Sequence, residues 1–331
     1  MKLTVELKDT QYDIIIERGV LSRISDYVNL NRKVLVITDD GVPKEYLQTV
    51  LSQCKEGYSQ VVMQGEGAKS FPVYEQLCRV LLNNNFTRKD LVIALGGGVI
   101  GDLSGFVAST YMRGIDFVNI PTTTLSQIDS SVGGKVAINL DHVKNIIGCF
   151  YQPKMVFVDS DTLNTLPNRH YVNGLVEAIK SGLIYDKDLF ELFERENIKE
   201  HIDEIIFHSL SAKKDVVEKD EKEENLRKIL NFGHTIGHAI ESINIDSMLH
   251  GECVAIGMLP MIEDEALKQR VINVYQKLGL KQTVAYDKQQ VIDLIHKDKK
   301  AYGSKITIIK VKELGKADLE DINANDLFAY L

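Results

Sequence analysis

The chain has 331 residues, with 39 basic against 47 acidic side chains and a formal net charge of −8. With 44% hydrophobic and 26% charged residues, the composition is that of a globular protein, which excludes disorder, collagen and coiled coil as its dominant character. A chain this long buries roughly three quarters of its unfolded surface and tends to divide into two domains, and its mild acidity offers no basic face for DNA or RNA.

Residues 1–10 alternate apolar and polar like a strand and lack the continuous apolar stretch of a signal peptide. Residues 33–37 are predicted as a buried strand running into a loop, 46–54 as a weak helix, 60–63 as a short strand and 73–83 as a helix. Residues 91–95 form the clearest strand, followed by a glycine loop and a helix over 102–111; 117–120 and 155–158 add two more strands. The stretch 91–112 is the least polar, but five glycines and Asp102 interrupt it, which is wrong for a membrane span. Such alternation predicts an α/β fold with a mainly parallel sheet covered by helices.

Beyond Pro167 the pattern changes. Residues 171–193, 202–218, 226–243 and 251–267 carry apolar side chains at helical spacing, and only 306–309 reads as a strand. The expected division is an α/β domain over residues 1–167 and a mainly α-helical domain over 168–331. The charge run 218–224 reads as a solvated helix end or loop. Cys54, Cys78, Cys149 and Cys253 have no paired spacing, which favours reduced, mostly buried thiols in a cytoplasmic protein.

Gly96-Gly-Gly-Val-Ile-Gly101-Asp102 fits the G-x-G-x-x-G pattern between a strand and a helix. Glycines let a diphosphate reach the amides of a helix N-terminus without Cβ clashes; a tight structural turn asks for the same residues. Asp116 falls at the customary distance for a ribose acid, but Asp39, at the C-terminal end of an earlier strand, is the better candidate. Gly65-Glu66-Gly67-Ala68-Lys69 is a second small-residue loop, suited to a nucleotide or to a surface turn. His234 and His238 lie four apart on one helix face; with His250 and Glu177 they offer a His/Glu set suited to zinc. Thr235 occupies the place of the glutamate in H-E-x-x-H, so that motif is absent. Lys135, Lys144, Lys180, Lys213 and Arg227 lie in apolar patterns; singly each reads as a surface charge, together as a pocket for a phosphorylated or carboxylated small molecule.

Together these residues resemble the 3-dehydroquinate synthase family. The resemblance is carried by Gly65-Glu66-x-x-Lys69, the run from Gly96 to Asp102, Arg113-Gly114, the run from Pro121 to Lys135, Lys144-Asn145 and Thr162-x-x-Thr165-Leu-Pro167. It continues through Glu177-Ala-Ile-Lys180, Asn231-x-Gly-His234-Thr-x-Gly-His238, His250-Gly-Glu252 and Asp298-Lys-Lys300, in family order. It implies an NAD-binding α/β domain, a helical metal- and substrate-binding domain, an active site in the cleft between them, and a homodimer. Glu177, His234 and His250 match the ligands of zinc or cobalt. Asp39, Glu66, Lys69, Gly97, Gly98, Val99, Asp102, Thr122, Thr123, Lys135, Lys144, Thr162 and Thr165 match the NAD set. His238, a ligand by spacing alone, matches a substrate contact instead.

The implied substrate is 3-deoxy-D-arabino-heptulosonate 7-phosphate. Its carboxylate would meet Arg227 and Lys213. Its phosphate would meet Lys135, Asn145, Asn231, His238, one of Lys299 and Lys300, and Arg113 from a second subunit. Asp129 and Lys180 would hydrogen-bond the hydroxyls that the metal also holds. The implied reaction runs through transient oxidation by NAD, phosphate elimination, reduction, ring opening and aldol closure to 3-dehydroquinate. Gly41 stands where the family usually carries asparagine, which leaves one ribose contact open, and Phe232 stands where tryptophan is frequent. Competing readings are a related sugar-phosphate cyclase, against which Arg227 and Lys213 argue because buried cations need an anion, a metal-dependent alcohol dehydrogenase, and a silent binding protein that keeps the fold.

Overall fold

The apolar runs of the first half become strands covered on both faces. The computed structural model describes the chain apart from residues 196, 245–246 and 300–304, with 296–299 described by their backbone alone. It divides into two units, Met1–Pro167 and Asn168–Leu331. The first contains strands β1 (Lys2–Glu6), β2 (Gln11–Ile16), β3 (Lys33–Asp39), β4 (Glu56–Val62), β5 (Leu91–Gly96), β6 (Asp116–Pro121), β7 (Lys135–Leu140), β8 (Val143–Phe150) and β9 (Met155–Val158). Its helices are α1 (Lys44–Leu51), α2 (Phe71–Asn83) and α3 (Gly98–Thr110). A seven-stranded sheet runs in the order β1-β2-β9-β6-β5-β3-β4, parallel from β2 onward, with β1 antiparallel at its edge.

Side chains alternate between the two faces of this sheet. Leu35, Ile37, Val92 and Ala94 pack with Leu77 and Leu81 of α2 and Leu103 of α3. Val34, Val36, Leu91 and Ile93 pack with Leu47 and Val50 of α1. Because both faces are buried, the strands read as continuous apolar runs, which is the pattern of a parallel sheet. The chain leaves β3 toward β4 and returns on the other side of β3 to form β5. That reversal opens a crevice at the carboxyl ends of β3 and β5, the usual ligand position in an open α/β sheet.

Three features of this unit differ from expectation, the first being that β2 went unread. Helix α3 begins at Gly98, so the glycine run supplies the helix's first turn and is not a loop ahead of it. The hairpin β7–β8 has no counterpart in the sequence reading: β7 buries Val136 and Ile138 in the core, but β8 is exposed along almost its whole length. A strand with no buried face leaves no period-two signal.

The second unit consists of α4 (Asn168–Ile184), α5 (Lys187–Glu194), α6 (Ile202–Lys219), α7 (His234–Ile243), α8 (His250–Met258), α9 (Glu265–Leu278) and α10 (Lys288–Lys299), with the antiparallel hairpin β10 (Lys305–Glu313) and β11 (Lys316–Asn323). Three predicted helices are in fact broken. The 171–193 stretch stops at Ile184 and restarts behind Asp186, whose carboxylate accepts the N–H groups of Asp188 and Leu189 at 3.1 and 3.2 Å, an N-cap of about 1 kcal/mol. The 226–243 stretch is a 3-10 segment, then Gly233 at φ 76°, then α7. The 251–267 stretch ends at Met258, and Asp264 caps α9. Strand β11 went unread because most of its residues face solvent. Among the described residues no helix is long and apolar enough to cross a membrane. All four cysteines are free, but only Cys253 is fully buried; Cys54 and Cys78 are half-buried and Cys149 is exposed, so the expected burial of the thiols holds for one of them.

Candidate active site

In the helical unit, three helices converge on the carboxylate of Glu177. A Cβ added at Gly251 would lie 2.1 Å from the Asn173 carbonyl oxygen, and the Gly251 N–H donates to Asn173 Oδ1 at 2.7 Å. Helix α8 therefore starts hard against α4, one turn before Glu177. A Cβ at Gly257 would lie 2.2 Å from the Gly233 carbonyl oxygen, so α7 is laid equally close against α8. The Glu252 carboxylate, bound to the Leu249 N–H and held by Nε and Nη2 of Arg169 on α4, fixes the same end of α8.

The result is a carboxylate surrounded by imidazoles. Glu177 Oε1 lies 3.7 Å from His234 Nε2 and 3.3 Å from His250 Nε2. Ligating atoms of His234, His238 and His250 all fall within 4.8 Å of one another. The edge of a tetrahedron around a zinc ion with bonds of about 2.0–2.1 Å is about 3.4 Å, so these separations suit atoms sharing one cation. The His234 Nδ1–H donates to the Phe232 carbonyl at 3.0 Å and the His250 Nδ1–H to Glu241 Oε2 at 2.9 Å. Neither acceptor can donate, so the neutral form of each ring carries its proton on Nδ1 and turns Nε2 to the centre. Among the described residues no hydrogen bond in good geometry reaches the buried Glu177 oxygens, although Lys180, one turn on, forms an ion pair with Oε2. The donor set fits a divalent cation.

The electrostatics agree. Burial opposes ionisation of Glu177, but Lys180, His234 and His250 outweigh it and hold the carboxyl well below its usual range. Burial, aided by Lys180, pushes His234 down to about 3, which keeps it neutral and able to ligate. Burial also works to lower His250, yet its contacts with Glu177 and Glu241 push it up to about 9.

Lys180, Lys213 and Arg227 are only 2%, 7% and 3% exposed, which overturns their reading as surface charges; Lys135 and Lys144 are exposed on the β7–β8 hairpin. The charge run folds back beside Arg227: Asp220 accepts the N–H groups of Glu224, Asn225 and Arg227, and the Arg227 guanidinium donates to the Glu221 carbonyl. Glu223, at φ 62°, accepts from Asn231 Nδ2 at 2.7 Å. Glu223, Asn231, His234 and His238, with Lys228 and Lys305, line a cavity of about 650 Å³. Sequence reasoning missed Glu223, hidden in a charge run, and also Asn173, Lys228, Glu241 and Lys305, which carry no motif spacing. The side chain of Lys299, and Lys300 altogether, lie outside the described residues.

In the α/β unit, the expected nucleotide residues gather at the carboxyl edge of the sheet. Asp39 closes β3, and its Oδ1 accepts the Gly41 N–H at 2.9 Å; burial raises its pKa above the ordinary value. Gly97, Gly98, Val99 and Asp102 open α3 on the other side of the crevice. A Cβ at Gly97 or Gly98 would meet Thr123 or Ser130 at 3.1 or 3.0 Å, and the Thr122 N–H donates to the Gly96 carbonyl. The bare glycine backbone at a helix N-terminus fits a diphosphate. Asp116 sits at the opposite end of the strands, paired with Arg32 and Lys154.

Lys69 is 3% exposed, so its loop is more than a surface turn. Its ammonium donates to Asp102 Oδ2 at 2.7 Å and to Asn145, and stands 3.5 Å from Glu66. Asn139, absent from every motif above, accepts the Asn145 N–H at 2.8 Å and donates to Glu66 Oε1 at 2.8 Å. Arg113 and Asn145 hold left-handed backbone at φ 66° and 57°, a strain that gathers at functional positions. Asp129 lies in a single π-helical turn, Ser126–Ser130, another feature frequent at functional sites. The Thr162 hydroxyl donates to the Asp159 carbonyl and accepts from Gln127, and that of Thr165 pairs with Tyr46.

An α/β unit with a nucleotide-type crevice and a helical unit with a cation-ready carboxylate–imidazole set mark the class of metal-dependent nucleotide enzymes. The 3-dehydroquinate synthase N-terminal profile matches residues 59–173, and the 3-dehydroquinate synthase C-terminal profile matches residues 174–301. The chain is 40% identical to the 3-dehydroquinate synthase of Streptococcus suis across 100% of this chain and 99% of that protein. It is similar to the crystal structure of 2-deoxy-scyllo-inosose synthase complexed with carbaglucose-6-phosphate, NAD+ and Co2+, with a TM-score of 0.91, 25% identity and coverage of 99% and 98% of the two chains. The 2-epi-5-epi-valiolone synthase of Streptomyces hygroscopicus with NAD+ and Zn2+ bound gives a TM-score of 0.88 at 24% identity over 98% and 97% of the chains, a likeness of fold. The chain belongs to the 3-dehydroquinate synthase family.

Proposed function

We infer that the chain is a lyase that converts 3-deoxy-D-arabino-heptulosonate 7-phosphate to 3-dehydroquinate and inorganic phosphate, a step of the shikimate pathway, with NAD and zinc or cobalt as cofactors. Family membership over the whole chain supports this. The observation that carries it is the burial of Lys180, Lys213 and Arg227 in the same unit as Glu177, His234 and His250. Lys180 faces Glu177, and a substrate bearing both carboxylate and phosphate offers anions matched to the Arg227 fork and the Lys213 ammonium. A cyclase substrate without a carboxylate would leave Arg227 and Lys213 without that role.

In this reading the domain 168–331 holds metal and substrate, and the domain 1–167 holds NAD through Asp39, Glu66, Lys69, the start of α3 and Lys144. Glu177, His234 and His250 would hold the cation, which when bound supplies Lewis acidity toward a neighbouring hydroxyl. NAD when bound supplies reversible hydride acceptance and is regenerated in each turnover. Arg227 presents a planar fork suited to a carboxylate, with Lys213 as the second cation. Asn231 and His238 of the helical domain would position the phosphate and stabilise it as it leaves, and Lys180 would orient the hydroxyls; the same roles come to Lys135, Asn145, Asp129 and to Arg113 of a second copy by the family resemblance. The second copy is a homodimer partner: Leu140, Val143, Ile146 and Phe150 of the β7–β8 hairpin are each exposed, and exposed apolar side chains on a hairpin call for cover. Free cysteines suit a cytoplasmic location.

The test is phosphate release from the heptulosonate phosphate with catalytic NAD, with and without a chelator, while NADH absorbance is followed. Release without net NADH, abolished by the chelator and restored by zinc, is the expected outcome. His250→Ala should lose metal and activity together. Steady NADH from simple alcohols, with no phosphate released, would make the chain a dehydrogenase.

A further inference from the structure

The carboxyl edge of the sheet carries a polar side chain that neither motif spacing nor the resemblance singles out. Gln64 lies two residues beyond β4 and reaches across to the turn that follows β3. A Cβ added at Gly41 would sit 2.5 Å from Gln64 Cδ and Nε2 and 2.9 Å from Oε1. The carboxamide thus fills the volume that any side chain at position 41 would need. Its backbone is anchored there: the Gln64 N–H donates to Asp40 Oδ1 at 2.7 Å, and the Asp40 N–H donates to the Val62 carbonyl at 3.1 Å. The Gly41 N–H in turn donates to Asp39 Oδ1. Asp39 and the Gln64 carboxamide therefore flank one short turn at the carboxyl end of β3, Gln64 coming from the side where β4 lies.

We propose that Gln64 is a further dinucleotide-binding residue, its carboxamide seated over Gly41 to hydrogen-bond the ribose whose hydroxyls donate to Asp39. The inference rests on the NAD reading above and extends it. A ribose diol offers two O–H donors and two acceptor oxygens, whereas a carboxylate only accepts. Asp39 alone therefore leaves the ribose oxygens without a donor, and the Gln64 Nε2–H₂ group supplies one. Gly41 is required because any Cβ there would expel the carboxamide. The ligand class that follows is a dinucleotide with a free 2′-hydroxyl, since a 2′-phosphate would bring its charge against Asp39.

Gly41→Ala evicts Gln64 without touching it, because the clashing atoms are the far end of a flexible side chain. The test is calorimetric titration of the zinc-loaded protein with NAD. Gln64→Ala and Gly41→Ala are each expected to weaken NAD binding about five- to tenfold, the range of one hydrogen bond. The double variant should be no weaker than either single one, since both remove the same contact. Gln64→Glu, similar in shape but without the donor, should weaken binding as well. Zinc affinity and thermal midpoint should stay at wild-type values, which shows that the variants fold. Wild-type NAD affinity in Gln64→Ala, or additive losses in the double variant, would overturn the proposal. Wild-type protein that takes up no NAD at all would instead overturn the reading of the crevice on which it rests.

Discussion

The Glu241 carboxylate decides which nitrogen of His250 faces the centre of the helical unit, because at 2.9 Å it holds the proton on Nδ1. Partners of this kind raise ligand basicity and lock ring orientation, and their loss typically weakens metal binding ten- to a hundredfold. Glu241→Ala is expected to weaken zinc by about that factor, read by competition with a chromogenic chelator; wild-type affinity would show that Glu241 plays no such part. The same contact sets a proton balance. In the metal-free protein His250 is pushed up to about 9, so at pH 7 it is protonated, and uptake of zinc must displace that proton. Glu241→Ala removes one of the two acceptors that raise it, so a pH indicator dye should record less proton release per zinc bound. At this scale the residue types were legible and their partners were not. Two imidazoles four apart announce themselves, but Glu241 carries no signal beyond its charge.

Helices α7 and α8 bring the histidines together only because glycines let their backbones touch. Gly257→Ala would drive a Cβ to within 2.2 Å of the Gly233 carbonyl oxygen, and backbone cannot swing aside as a side-chain end can. The expected cost is about 1–3 kcal/mol of stability, together with weakened zinc binding as His234 and His250 separate. Gly279→Ala makes a control. That glycine ends α9 at φ 71° with no heavy atom within 4 Å of an added Cβ, so alanine should lower stability by about 1 kcal/mol through backbone strain alone and leave zinc affinity intact. Thermal denaturation and zinc titration of both variants would check this; equal zinc affinity in the two would refute the positioning role. Element type was read at most of the continuous apolar faces, although β2 and α9, which bury Ile14 and Ile16 and Leu267, Val271 and Tyr275, went unread. It failed at Tyr185–Asp186, Phe232–Gly233 and around Pro260, where helices of similar periodicity abut and only a cap or a left-handed glycine marks the break. It failed again at β8 and β11, whose solvent-facing residues show no buried periodicity.

For the molecule as a whole, the exposed apolar side chains of the β7–β8 hairpin lead to a prediction about assembly. Ile146 stands exposed on β8, next to the left-handed Asn145. Ile146→Asp should convert a dimer to a monomer in light scattering, because a desolvated charge at an apolar contact costs several kcal/mol. A raised KM for the phosphorylated substrate in the same variant is the outcome expected if Arg113 is supplied by the second copy. Wild-type protein with the mass of one chain would contradict the dimer.

The sequence by itself determined what each half is made of and which chemistry its side chains can perform. Continuous apolar runs between glycine-rich turns point to a covered parallel sheet, helical periodicity to packed helices, and a His/Glu set with lysines at apolar positions to a cation and a phosphorylated or carboxylated small molecule. These are short-range properties, set by neighbours along the chain. Only the tertiary structure decided which groups meet. Asp39 and Asp116 were both admissible ribose acids until strand order placed one at the carboxyl edge and the other at the amino edge. Glu177 joined His234 and His250 through two backbone approaches, at Gly251 and Gly257. Gln64 reached the turn at Gly41 because β4 lies beside β3. Spacing along a chain cannot encode such meetings, since they depend on which elements become neighbours once the core is packed.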